Sequence, residues 1–93
     1  MKEFTYADAL NDIDVLIDFV NEKGMKMTFE EFNNIIESVN LINMKVQYSS
    51  VIEDNIKDKF NNLVYNFVHY IGKSGGIQSM LLHLEIGLRT LVK

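Results

Sequence analysis

The chain contains no cysteine, no proline and no tryptophan, only five glycines and a single arginine, Arg89. Without cysteine there are no disulfides, no thiolate metal sites and no thiol nucleophiles, which matches a reducing, cytoplasmic setting. With one arginine and no lysine cluster, the electrostatic footprint of a nucleic-acid binder is missing. No apolar run approaches the roughly 18 residues that a membrane span needs, so no membrane partner is expected. The nearest, "IQSMLLHLEIGL", is short and interrupted by His83 and Glu85. The opening "MKEFTYADALND" has no apolar stretch after its early lysine and does not read as a signal peptide.

What is present is ordinary for one globular domain over residues 1–93, with 47 % apolar and 24 % charged residues. The net charge of −4 is unevenly spread. Residues 1–37 carry nine acids against three lysines, whereas residues 38–93 carry four acids against six bases.

Helical periodicity recurs along the chain and strand alternation does not. Tyr6, Ala9, Leu10, Ile13, Leu16, Ile17 and Val20 form one broad face. Thr5 and Asp8 have capping-box spacing, and Gly24 is placed to end that helix. Thr28 and Glu31 repeat the box, with Met27 and Phe32 spaced as a hydrophobic staple. Phe32, Ile35, Ile36, Val39, Ile42 and Val46 then make the second stripe.

From Phe29 to Ile71 there is neither glycine nor proline, so the second and third helices either merge or break near "QYSS". A break at 46–50 is favoured, with Ser50 and Glu53 spaced to cap the next helix. The third stripe is Ile52, Ile56, Phe60, Leu63, Val64, Phe67 and Ile71, and the fourth is Ile77, Met80, Leu81, Leu84, Leu88 and Leu91. The pattern predicts an all-α, small four-helix antiparallel bundle.

The segment "YIGKSGGIQ" invites a phosphate-loop reading, but the loop motif requires a glycine at position 67, which is Phe67 within a helical pattern. Dinucleotide spacing fails as well, since glycines 72, 75 and 76 follow no strand. A helix end at Gly72 and a chain reversal at Gly75–Gly76 explain the segment without a ligand. His69 and His83 are the only histidines and have no Glu-x-x-His spacing, and no Ser-His-Asp set is recognisable. The acids of the first helix lie in a regular helix, not in a twelve-residue calcium loop. No catalytic residue, cofactor site or metal site is therefore expected.

Extra apolar residues stand away from the core stripes. They are Val15 and Phe19 on the first helix, Leu41, Met44 and Tyr48 on the second, and Leu82 and Ile86 on the fourth. A small monomeric bundle needs one apolar face per helix, so these seven are the candidate partner or oligomer interface. The expected function is a non-enzymatic protein–protein interaction module working as a homodimer: a small regulator, inhibitor or immunity-type protein. The abundance of Asn, Ile and Lys points to a low-GC bacterium or its phage. A structural or assembly subunit acting as a larger homo-oligomer is the alternative.

If "GKSGG" is a helix end without ligand chemistry, calorimetry should detect no ATP or GTP binding. Saturable binding that disappears in Lys73→Ala would overturn that reading.

Overall fold

The computed structural model describes residues 3–74 and 77–90. Two reciprocal caps set its first half. Thr5 Oγ1 accepts from the Asp8 amide at 3.1 Å while Asp8 accepts from the Thr5 amide at 3.0 Å, and α1 (Tyr6–Lys23) starts there. Gly24, at φ 56°, closes α1 with a backbone conformation that an L-residue adopts only under strain, and a single 3-10 turn (Gly24–Lys26) follows. Thr28 and Glu31 then exchange hydrogen bonds of 3.1 and 3.0 Å to begin α2 (Phe29–Tyr48). Met27 and Phe32, flanking that cap, both pack against the core as a staple should.

The break between the second and third helices falls at Ser49–Glu53, so the two are separate. Ser50 and Glu53 do not form the expected cap. α3 (Asp54–Ser74) begins after Glu53, whose carbonyl accepts from the amides of Ile56 and Lys57. The reason is competition from the N-terminal segment. The Ser49 hydroxyl donates to the Phe4 carbonyl at 2.6 Å, and the Ser50 amide donates to Glu3 Oε1 at 3.2 Å. Both serines are thus engaged before a helix can start on them, and Ile52 is buried from this loop rather than from α3.

A second correction concerns Gly72: α3 continues through it to Ser74, so it is not a left-handed helix terminator. The long run of helix from Asp54 to Ile71 that precedes it carries the helix past the modest cost, about 1 kcal/mol, of one interior glycine. The proposed reversal at Gly75–Gly76, the core position Leu91 and the side chains of Ile71, Lys73 and Ser74 lie outside the described residues. The fourth helix, α4, runs from Ile77 to Arg89.

Short connections place successive helices antiparallel. α1 touches α2 and α4, and α3 touches α2 and α4, leaving α2 and α4 on one diagonal and α1 and α3 on the other. The core lies along the common axis: Ala9, Ile13, Ile17 and Val20 of α1 meet Ile35, Val39, Ile42 and Val46 of α2. Phe60, Val64 and Phe67 of α3 and Leu81, Leu84 and Leu88 of α4 complete it.

The caps supply a pH test. Hydrogen bonds from the Thr28 backbone, and then from Lys23, hold the Glu31 carboxyl below its usual value of 4.5. Its stabilising effect is therefore complete above that value and is lost as pH falls through the lower folded value. Thr28→Ala should cost about 0.5–2 kcal/mol by urea denaturation at pH 7. Glu31→Gln should flatten the stability profile below pH 4.5; an unaltered profile would remove the charged cap from the account.

Candidate functional site

The seams of the bundle are closed unequally. Between α1 and α4, Arg89 Nη2 donates to both oxygens of Asp14 at 3.0 and 3.3 Å, and Arg89 Nε lies 3.6 Å from Glu85. Between α2 and α3, Asn43 Nδ2 donates to Asn61 at 3.0 Å, and Gln47 Nε2 donates to the Lys57 carbonyl at 2.9 Å. Between α3 and α4, Gly87 allows Leu63 to approach so closely that a Cβ there would lie 2.9 Å from a leucine methyl.

The α1–α2 seam is fastened at its ends. Lys23 Nζ meets Glu31 at 3.1 Å at one end. At the other, the Phe4 segment is bound by Ser49 and covered by Lys45, whose Nζ lies 5.5 Å from the Phe4 ring centroid. Between these ends the seam opens into two concavities of about 230 and 200 Å³ that share Leu16 and Ser38. Asp12, Val15, Leu41, Ile42 and Lys45 complete the first. Phe19, Glu31, Asn34 and Ile35 complete the second. Ser38, the smaller of the two shared residues, is half-buried where the concavities meet.

The seven residues singled out by periodicity divide by position. Val15 (58 % exposed), Leu41, Met44, Tyr48 (84 %), Leu82 and Ile86 (59 %) are exposed. Phe19 differs: it is half-buried, packs against the core and has Lys23 Nζ 5.8 Å above its ring. At 100° per residue, Phe19 falls between Val15, 40° away, and Leu16, 60° away, and α2 residues beside it account for its partial burial. Val15, Phe19 and Leu41 come together along the α1–α2 groove, whereas Met44 and Tyr48, exposed on α2, line neither concavity. Leu82 and Ile86 lie on α4, which touches α1 but not α2, and line neither concavity.

Four exposed apolar residues escaped the sequence reading: Phe29 (79 %), Val51, Tyr65 and Val68. Tyr65 and Val68, three apart and away from the α3 stripe, carry the same signal that picked out Leu41 and Met44. Tyr65 also stacks on His69, with centroids 5.7 Å apart and planes 7° from parallel. His83 lines a third concavity, of about 260 Å³, with Leu63, Asn66, Phe67, Met80 and Leu84. Among the described residues no three His, Asp or Glu side chains converge into a set of metal ligands. No helix among them is long and apolar enough to cross a membrane.

The hydroxyl of Tyr6 is hidden from solvent and has no hydrogen-bond partner among the described residues. Burial raises its pKa above the ordinary 10.0, and the positive charge of Arg89 partly opposes the shift.

Compared with protein-family models, curated proteins and solved structures, the chain shows no significant match to any of them.

Removing an unpaired hydroxyl should cost nothing, so Tyr6→Phe is expected to keep or raise the denaturation midpoint. A loss of more than about 1 kcal/mol would reveal a partner for that oxygen. Because the folded pKa is raised, Tyr6 withdraws stability as pH climbs above 10.0 and the unfolded phenol ionises, and Tyr6→Phe should remove that part of the alkaline decline.

Proposed function

We propose that the chain is a non-enzymatic protein-interaction module, a small regulator, inhibitor or immunity-type protein that works as a homodimer. One observation carries the reading: Val15, Leu41, Met44, Tyr48, Leu82 and Ile86 remain exposed although the inner faces of their helices already supply the core. Such side chains contribute to stability only when something covers them, by about 1.5–3 kcal/mol for each fully buried one.

The α4 patch suits pairing with its own copy. A two-fold interface sets each residue against its equivalent or near neighbours, so like charges there are costly. Leu82 and Ile86 are flanked by the exposed, uncharged Ser79 and Thr90, and the nearby Arg89 is already paired with Asp14 and Glu85. The α1–α2 groove is then left for a foreign partner.

A structural subunit forming a larger homo-oligomer is the second reading. It is favoured by the presence of two separate apolar surfaces, the α1–α2 groove and the α4 patch. Head-to-tail contact between two different surfaces generates rings or filaments rather than closed dimers.

Sedimentation equilibrium of the full chain separates the readings. A dimer weakened at least about tenfold, or about 1.4 kcal/mol, by Leu82→Ser with Ile86→Ser at unchanged helical circular dichroism supports the module. Mass that grows beyond a dimer with concentration supports the subunit. A monomer that also captures no protein from host extract would overturn both.

A further inference from the structure

We infer that the α1–α2 groove is a docking site for a cationic amphipathic helix contributed by a different protein. The inference rests on the interaction-module reading and names the chemistry of the partner.

Shape is the first argument. The groove runs from Glu31 to Lys45 along α2, about 21 Å at 1.5 Å per residue, or roughly four helical turns. Its floor is Leu16, Ile35 and Ile42, with Ser38 at the centre. Phe19, Val15 and Leu41 stand along it, able to receive side chains spaced one helical turn apart. Apolar troughs of this length between two helices suit the apolar face of a third helix, read through anchors at i, i+3 or i+4, and i+7.

Charge selects the occupant. α1 carries five acids against Lys23, and α2 carries three acids against Lys45, so the helices that build the groove have a net charge of −6. α3 and α4 together carry +1. The two lysines of the acidic pair are engaged at the ends, Lys23 with Glu31 and Lys45 over Phe4. Asp12, Lys45 and the Lys23-paired Glu31 line the trough, and the excess of acid comes from the rest of the two helices, where Glu22, Glu30 and Glu37 are exposed. A second copy offering this same face would set the acids against each other. Its α4 patch brings Leu82 and Ile86 but no net charge on that helix to answer the acids. A helix with lysines or arginines beside its apolar stripe satisfies both features.

The test uses the full chain and three synthetic peptides of about 14 residues, enough to span the groove. One has leucines at helical spacing with lysines on its flanks. The second keeps the leucines and replaces the lysines with glutamates, and the third keeps the lysines and replaces the leucines with serines. Calorimetry should show binding of the first only. Raising salt from about 0.1 M to about 1 M, where the Debye length falls from about 10 to about 3 Å, should weaken it at least about tenfold. Amide chemical-shift changes should centre on Val15, Phe19, Ser38 and Leu41. Ser38→Leu should block the groove, whereas Leu82→Ser should leave peptide binding unchanged. Equal binding of the lysine and glutamate peptides, no binding of either, or shifts confined to α4 would each overturn the inference. So would shifts at Val15 and Leu41 produced by raising the protein concentration alone. A groove that ignores the lysine peptide while Leu82 and Ile86 still hold a dimer refutes this inference and leaves the module intact.

Discussion

The hydrogen bond from the Ser49 hydroxyl to the Phe4 carbonyl, at 2.6 Å, decides how the lower half of the bundle is put together. Ser49 is 3 % exposed, and it is the buried polar side chain among the described residues. Its oxygen also accepts from the Val51 amide at 3.2 Å, so one atom joins the N-terminal segment to the α2–α3 loop. Phe4 is thereby held against the core and beneath Lys45. In a low-dielectric site such a bond matters chiefly through what its loss would strand, a carbonyl and an amide without partners. The same clasp keeps the ends of α1 and α2 together while the middle of their seam stands open. An open seam fastened at both ends is a groove of fixed length, and without the clasp it would be a hinge.

Most of the helix starts were legible in the chain, and the one that differs shows why. Thr5–Asp8 and Thr28–Glu31 cap where their spacing says they should, because a capping box is complete within four residues and needs nothing from elsewhere. Gly24 behaves likewise. Ser50–Glu53 has the same spacing and fails, because Glu3, 47 residues away in sequence, takes the Ser50 amide. Local signals hold where no distant group competes for the same donor.

The candidate interface shows the same boundary between local and global information. Periodicity identifies which residues leave the core face of a helix, and six of the seven are exposed. It does not show how a flank is used by the neighbouring helix. Phe19 lies 120° from Ile13 around α1 by helical geometry, and only the presence of α2 on that side turns it into a wall of the groove. The separation of Leu82 and Ile86 from the rest follows from the ring order of four helices, which no single helix encodes. Tyr65 and Val68, three residues apart and off the α3 stripe, carry the same periodic signal.

The Arg89–Asp14 pair joins residues 75 positions apart, and α1 and α4 are neighbours across the closing seam of the ring. During synthesis α1 must therefore wait for its last partner. At about 5–20 residues per second, the interval between completing Lys23 and adding Arg89 is roughly 3 to 13 s. Through that time the side of α1 that will meet α4 is uncovered, in a helix whose apolar stripe would otherwise invite association with other nascent chains. Five acids on an 18-residue helix give the unfinished chain a mutual repulsion. The acidity of α1 can thus act before the fold is complete, by keeping growing chains apart.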